Sequence, residues 1–509
     1  MGDDARSRTG EPGTEGWEEV LDDLAQRRSR SRAMGGEERL RRHREAGKLD
    51  ARARVRHLLD EGTFRELGTL TGGSEAPADA IVMGHGRIDG RPVMVAAEDF
   101  TVKAGTISAA ANAKRYRVAE LALRDRIPCI MILEGAGYRA DGKPHVAPTP
   151  TDMLAQARCS GRVPLVTAVL GASAGHGALV APLSDFTVMS RHAAIFTAGP
   201  PVVAESTGET VTKEELGGPE VALRSGLIHN GADDDAAALD LVRRYLSYFP
   251  SSAWSYPPHV PGGDDGPRPV PEIVDLVPRN GRRVYDMRRV LDVVFDAGSV
   301  LEVQPEFGRT VLCALCRLGG HPVAVVANQP QVMAGAIDAD GAEKAARFIT
   351  VADSFHLPLV FLADNPGVLP GRRSEQQAIL RKGARMYAAQ TMATTPKFEV
   401  TLRKAYGFGS MVMAMIPFDG QSGVFAFPGV TMGAMGAAAM SRSRGSDEEE
   451  AAMLHRHEVQ ASYRTAKTFG VDELIDPREI RDALWYSLDR ALACRQAPAE
   501  PVARVGVMP

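Results

Sequence analysis

Four short glycine-bearing segments are the places in this sequence where chemistry could be done. Glu134-Gly-Ala-Gly-Tyr-Arg139 and Gly171-Ala-Ser-Ala-Gly-His-Gly-Ala178 lie in the first half of the chain. Asp364-Asn-Pro-Gly-Val-Leu-Pro-Gly371 and Lys404-Ala-Tyr-Gly-Phe-Gly-Ser410 lie in the second. Each follows an apolar, strand-like run. Glycine after a buried strand, at the opening of a helix, lets backbone N–H groups come close to a ligand, and the positive end of the helix dipole adds to their pull. Two such turns meeting at one strand edge can aim two N–H donors at a single oxygen. That is an oxyanion hole, in which losing one donor raises the barrier by roughly 3 kcal/mol. A single glycine turn is more often only a tight turn; four at matching places favour the ligand-binding reading.

Two side-chain chemistries compete with this. Gly171-Ala-Ser-Ala-Gly175 fits the G-x-S-x-G nucleophile elbow, which makes a hydrolase with Ser173 as nucleophile the rival, and His192 and His229 lie downstream. The matching turn of the second half puts lysine or alanine where the serine would be, so the segment reads as kept for its glycines. Cys313-Ala-Leu-Cys316 is a lone CxxC inside a strand-like run. Strand alternation sends its sulfurs to opposite faces, so structural cysteine is expected and no metal site.

The elements that must position these turns are written twice. Leu58-Leu-Asp-Glu-Gly-Thr-Phe-Arg-Glu-Leu67 parallels Val294-Phe-Asp-Ala-Gly-Ser-Val-Leu-Glu-Val303, and Gly90-Arg-Pro-Val-Met-Val-Ala-Ala97 parallels Gly320-His-Pro-Val-Ala-Val-Val-Ala327. Ile127 to Glu134 matches Leu357 to Asp364, and Val163 to Leu170 matches Thr395 to Leu402. The nearly constant offset identifies a duplicated domain, with a period far too long for a solenoid. Within each copy, short apolar runs alternate with helical patterns such as Lys114 to Arg124 and its counterpart Ala342 to Ser354. The expected class is α/β, built from βαβ units with largely parallel strands covered by helices. A basic helical stretch runs from Glu37 to Leu59, and a Pro- and Gly-rich stretch between Pro250 and Pro278 reads as the linker.

Length and composition set the bounds. A chain of 509 residues can bury two full cores, and a net charge of −4 argues against nucleic acid or a membrane surface as main partner. No apolar run reaches a spanning length and the N-terminus is polar and acidic, which reads as cytoplasmic. Five scattered cysteines suggest reduced thiols.

Taken with their surroundings, the turns resemble the carboxyltransferase (β) subunit of biotin-dependent acyl-CoA carboxylases, the propionyl-CoA carboxylase type of the crotonase superfamily. The resemblance runs from about Gly35 to the C-terminus. It is carried by Gly47-Lys-Leu-Asp-Ala-Arg-Ala-Arg54, Glu98-Asp-Phe-Thr-Val102, Ser184-Asp-Phe-Thr-Val-Met189, Thr207-Gly-Glu209 and Glu214-Glu-Leu-Gly-Gly218. Ala327-Asn-Gln-Pro330, Ala334-Gly-Ala-Ile-Asp338, Glu343-Lys-Ala-Ala-Arg-Phe348 and Pro366-Gly-Val-Leu-Pro-Gly371 extend it.

The resemblance implies duplicated ClpP/crotonase-like spiral domains, which we divide as a disordered 1–15, an acyl-CoA-side domain over 16–265 and a biotin-side domain over 266–509. In such proteins carboxybiotin on a carrier domain loses CO2, the acyl-CoA gives its α-proton to the biotin ureido nitrogen, and the enolate captures CO2. Both partners pass through oxyanions. Carried over by motif, the thioester oxygen would meet the backbone at Ala136, Gly137, Gly175, His176 and Gly177. The biotin oxygen would meet Gly367, Val368, Phe408 and Gly409, with Gly335 and Ala336 also on the biotin side. Lys114, Tyr138 and Met411 would face the acyl-CoA.

The family assembles hexamers, trimers of dimers with sites between subunits, and works with a biotin carboxylase and biotin carrier subunit. No Met-Lys-Met biotinylation motif occurs here, so biotin must come from another chain or as free cofactor. Departures are visible. The usual Ser-Gly-Gly-Ala-Arg turn reads Gly135-Ala-Gly-Tyr-Arg139, and the helix after it is shorter, through Pro148-Thr-Pro-Thr-Asp152. Met411 stands where propionyl-type relatives carry an aspartate, which points either to a different acyl group or to core packing. A decarboxylase of a malonyl- or methylmalonyl-type thioester and a non-catalytic scaffold remain open beside the carboxyltransferase and the Ser173 hydrolase.

Overall fold

A computed structural model describes residues 16–139, 150–262, 264, 266–496, 499–502 and 507. The expected disorder of 1–15 and most of the segment leading to Asp152 lie outside the described residues. The two halves fold into two eight-stranded sheets of the same topology. In the first, β1 (Arg65–Leu67), β2 (Ile81–Ile88), β3 (Arg91–Glu98), β4 (Cys129–Gly135), β5 (Leu165–Ala174), β6 (Phe186–Ser190) and β8 (Asn230–Ala232) are neighbours in that order, and β7 (Ala194–Phe196) pairs with β5.

The second repeats this as β9 (Leu301–Val303), β10 (Val311–Leu318), β11 (His321–Asn328), β12 (Leu359–Asn365), β13 (Lys397–Tyr406), β14 (Gly423–Ala426) and β16 (Glu473–Leu474), with β15 (Thr431–Gly433) on β13. From β3 and β11 onward every pairing is parallel, as the alternating pattern requires, but the first three strands of each sheet are antiparallel. Only two residues separate β2 from β3, and two β10 from β11, so a hairpin is the sole connection available.

Period-two alternation decides which core each strand residue joins. Val95, Ile130, Ile132, Val166 and Ala168 face a central core shared with Cys313, Leu315, Val326 and Phe361 of the second sheet. Met94, Met131 and Leu165 face an outer core on one side, Cys316, Val325 and Leu362 an outer core on the other. The two cysteines of the CxxC therefore do sit in different layers. Their buried thiols are pushed up, that of Cys313 to about 12, and neither is in a disulfide. In the central layer Phe186 stacks on Tyr245 at 4.3 Å, Tyr245 on Phe249 at 4.5 Å, and Phe249 meets Phe355 of the second half edge-on at 5.5 Å. The halves thus share one core.

Matching helices cover matching strands. Ala109–Asp125 opens on Ser108, whose Oγ accepts the N–H groups of Ala110 and Ala111; Ala339–Ser354 opens on Asp338, whose carboxylate accepts that of Gly341. The expected single basic helix from Glu37 to Leu59 is two, Glu37–Glu45 and Ala51–Leu58. Gly47 breaks it with φ at 76°, and Asp50 caps the second piece.

Candidate active site

The four glycine turns stand at the carboxyl ends of two adjacent parallel strands in each sheet. The ladder slips at the same place in both. Leu133 pairs with Val169 but Gly135 with Ser173; Ala363 pairs with Thr401 but Asn365 with Ala405. In each sheet one strand advances four residues while its neighbour advances two, which bends the strand end toward the neighbouring turn.

Glycine is required at these turns by backbone angle and by space. Gly137 and Gly367 have φ of 86° and 120°, and Gly175 and Gly407 of 58° and 55°, all in the left-handed region where a side chain is strained. The Gly137 carbonyl accepts the Ile107 N–H at 2.8 Å and the Arg139 N–H donates back to Ile107 at 2.9 Å. Gly367, Ile337 and Leu369 repeat the pair at 3.1 and 2.9 Å. A Cβ at Gly137 would lie 3.1 Å from the Ala174 carbonyl oxygen, and one at Gly409 only 2.7 Å from Gly367 Cα, so the two turns of each half touch.

The N–H groups of Gly137 and His176 find no acceptor among the described residues, whereas Gly175 continues the β5–β7 ladder onto Phe196 and Gly177 donates back to Ala174 in the 3-10 turn Gly175–Leu179. Those of Val368, Phe408 and Gly409 are equally uncommitted, while Gly407 continues the β13–β15 ladder onto Gly433. Four sequence-derived donors are corrected by hydrogen bonds within the fold: Gly175, Gly177, Ala136 and Gly367. The Ala136 N–H donates to the Ala104 carbonyl at 3.0 Å, and its counterpart in the second half is Pro366, which has no N–H. Gly367 donates its N–H to its neighbour Asn365 Oδ1 at 3.1 Å. Gly335 and Ala336 donate to Val332 and Met333 inside a tight turn. Gly335 is there for space, since a Cβ would come 2.3 Å from the Asp364 carbonyl oxygen.

Lys114 is buried, its ammonium donating to the carbonyls of Gly68, Ala78 and Ile81. With three donors and three acceptors it is saturated, and burial pushes it down to about 8. Lys344 does the same in the second half, donating to Gln304 and Phe307. Lys114 is a clamp on the chain. Tyr138 is exposed beside the first turn, and Met411 is half-buried on the helix Gly407–Val412.

The elbow reading of Ser173 fails on geometry. Ser173 lies inside β5, and its buried Oγ meets no hydrogen-bond partner among the described residues. His229 is buried, its Nδ1 accepting the Thr187 N–H at 3.0 Å, and His192 is exposed. A nucleophile with no base in reach and no strained turn to present it is not activated.

The surroundings of the two pairs of turns differ in charge. Beneath the first pair lies a buried cluster that sequence reading missed, because its members are scattered over the chain. Arg115, with none of its side chain exposed, donates from Nη1 to Glu98 at 2.7 Å, from Nε to Asp152 at 2.6 Å and from Nη2 to the Gly177 carbonyl at 3.2 Å. Glu98 accepts the Glu134 N–H through its other oxygen at 2.9 Å, and Asp152 holds the His176 ring. Burial acts to raise Asp152, but the His176 hydrogen bond and the Arg115 guanidinium prevail and hold it at about 2. In the second half Asn328 replaces Glu98, accepting the Asp364 N–H at 3.0 Å, and the residue matching Arg115 is Ala345.

One step further out, each half buries an acid at the end of its fourth strand. Glu134 is paired at 2.6 Å with both Lys48 and Arg54, and Gly171 leaves room for it, since a Cβ there would fall 2.2 Å from Glu134 Cγ. At the matching position of the second half stands Arg403, which pairs with Asp364 itself at 2.6 Å.

Both pairs of turns therefore offer uncommitted main-chain donors, rigidly seated and without a side-chain nucleophile. Preorganised main-chain donors of this kind are suited to an oxyanion. Among the described residues no group of three metal-ligating side chains occurs, and no helix is long and apolar enough to cross a membrane.

Residues 42–501 match the carboxyl transferase domain family. The chain is 37% identical over 500 residues to the methylmalonyl-CoA carboxyltransferase 12S subunit of Propionibacterium freudenreichii subsp. shermanii, covering 94% of this chain and 95% of that one. It is 36% identical to the propionyl-CoA carboxylase carboxyltransferase subunit of Haloferax mediterranei, covering 92% and 95%. Its fold superposes on the transcarboxylase 12S hexamer core, solved with methylmalonyl-CoA and methylmalonic acid bound, with a TM-score of 0.89 at 34% identity over 98% of this chain and all of that one.

Proposed function

Because the chain belongs to the carboxyl transferase domain family, we propose that it moves a carboxyl group between biotin and the α-carbon of an acyl-CoA thioester, each half stabilising one of the two oxyanions. The observation that carries this is the presence, at matching strand ends of both halves, of uncommitted amides with no activated nucleophile beside them. In the first half the N–H groups of Gly137 and His176 face the thioester oxygen, and Gly175 and Gly177 shape the turn that presents them. In the second, the N–H groups of Val368, Phe408 and Gly409 face the ureido oxygen. A neutral lining of Asn328 and Asn365 suits that uncharged ring. Carboxybiotin, brought by a separate carrier, supplies the CO2 and then the basic nitrogen that accepts the α-proton. The protein's own share is to hold both oxygens in dry, preorganised cradles, where each donor contributes roughly 3 kcal/mol.

In this reading the halves, divided near residue 265, serve the acyl-CoA and the biotin respectively, and a hexamer brings the first half of one subunit against the second half of another. The enzyme works in the cytoplasm with a biotin carboxylase and carrier subunit. Tyr138 borders the acyl-CoA side, and Met411, on the helix that follows the second turn, borders the acyl chain.

The test is transfer of labelled carboxyl from malonyl-, methylmalonyl- and longer α-carboxyacyl-CoA to free biotin or a biotinylated carrier. Biotin-dependent label transfer from at least one donor is expected. Release of free acid without biotin dependence would overturn the reading in favour of hydrolysis.

A further inference from the structure

Resting on that reading, we propose that Arg115 is a positioning residue for the first oxyanion site, fixing both of its glycine turns through a buried cluster with Glu98, Asp152 and His176. The guanidinium spends its three faces on three different parts of the site. Nη2 holds the Gly177 carbonyl, which sets the Gly177–Ala178 peptide plane and with it the pitch of the turn that carries the free amide of His176. Nη1 holds Glu98, whose second oxygen accepts the Glu134 N–H at the base of the other turn. Nε holds Asp152, which grips the ring of His176, a member of the donor turn itself. Gln156 and the Asn112 side chain complete the shell of Asp152.

Three features separate this from an ordinary buried ion pair. The cluster contacts both turns of one site, where a packing device would need neither. Its charges sit at complete or near-complete burial, an arrangement that is often replaceable by apolar residues without loss of stability. Finally, the second half builds the same strand ends without it, using Asn328 and Ala345 at the matching positions. The fold therefore does not need the cluster. The position of the first turn does.

The test compares two folded variants of the full chain. Arg115→Lys keeps the charge but not the three-sided fork, and the double variant Glu98→Gln/Arg115→Met removes the pair with Glu98 while Asp152 keeps His176 and Gln156. Each is assayed for kcat, for the KM of acyl-CoA, and for affinity toward two probes: an unreactive CoA thioether and a CoA nitronate whose oxygens imitate the enolate. Displacing donors by about 1 Å costs about a hundredfold in such sites. We expect kcat and nitronate affinity to fall together by about 30- to 100-fold, while KM and thioether affinity stay within twofold of wild type.

Equal loss for both probes, or no loss for either, overturns the proposal. Should neither variant fold, Asp152→Asn carries the test, since it leaves Arg115 on Glu98 and Gly177 but loosens His176, and the same inequality between probes is read. A wild-type protein that neither transfers carboxyl nor prefers the nitronate sinks the carboxyltransferase reading. A wild type that does both, with variants that match it, sinks only the role of Arg115.

Discussion

The two halves solve one construction problem in two ways. Both end a pair of parallel strands in touching glycine turns, both slip the ladder at the same step, and both use a buried lysine to hold the preceding loops. They part in how the strand ends are held. The first half surrounds them with ionised groups brought from distant elements: Arg115, Glu98 and Asp152 beneath, Lys48, Arg54 and Asp235 outside. The second does the same with Asn328 and Asn365, plus one arginine on the strand itself. Duplication preserves what the backbone requires, and the side chains around it diverge.

Space around the turns gives the sharpest way to break the comparison. In the second half, Gly409→Ala would put a methyl 2.3 Å from Asn365 Oδ1 and 2.7 Å from Gly367 Cα, forcing the two turns apart. Carboxyl transfer should fall by about a hundredfold or more. In the first half, Gly177→Ala meets only Ile107 Cδ1 at 3.1 Å and Glu98 Oε1 at 3.3 Å, longer contacts than those at Gly409 and none to backbone, and the loss should stay within about tenfold. Steady-state kinetics on the two variants decides it. Equal losses would mean the two sites are not as differently packed as they look.

The outer ion pairs offer a second contrast, read in stability. Arg403→Met leaves Asp364 buried with only Tyr285 and Asn-rich surroundings, at a cost of about 3–5 kcal/mol by denaturant titration. Lys48→Met leaves Glu134 still paired with Arg54, and about 1 kcal/mol is expected.

Acid should act on the first half through Asp152. Its carboxyl is held at about 2, below the roughly 3.9 of an unfolded aspartate, so its contribution is complete above about pH 4 and is lost as pH falls toward 2. Glu98, raised by burial, works in the opposite sense. Asp152→Asn should flatten the unfolding free energy against pH across that window; an unchanged slope would remove Asp152 from the account.

The smallest effect is expected from Ser173→Ala. Its hydroxyl is buried without a partner, and removing it should leave the rate within twofold and stability equal or slightly higher. Loss of all activity would restore the nucleophile.

How much of this was legible without coordinates follows from the physics of each feature. The duplication, the α/β class and the four turns were visible because they rest on local patterns: period-two runs, helical runs and glycines where the backbone turns left-handed. The opposite-facing CxxC was visible for the same reason. Which amide is free was not visible, since Ala136 is lost to Ala104 and Gly335 and Ala336 are lost inside their own turn, choices made by neighbours in space. Lys114 read as a ligand residue from its motif and proved to be a saturated clamp, a distinction that depends on three carbonyls some thirty to fifty residues upstream.

The sequence by itself determined the duplication and the four glycine turns at matching strand ends, because glycine spacing repeated over two copies is a local and redundant signal. Only the tertiary structure decided which of their amides remain uncommitted and which buried charges hold them in place. Hydrogen bonds and ion pairs between Glu98, Arg115, Asp152 and His176 depend on distances between residues that no periodicity connects.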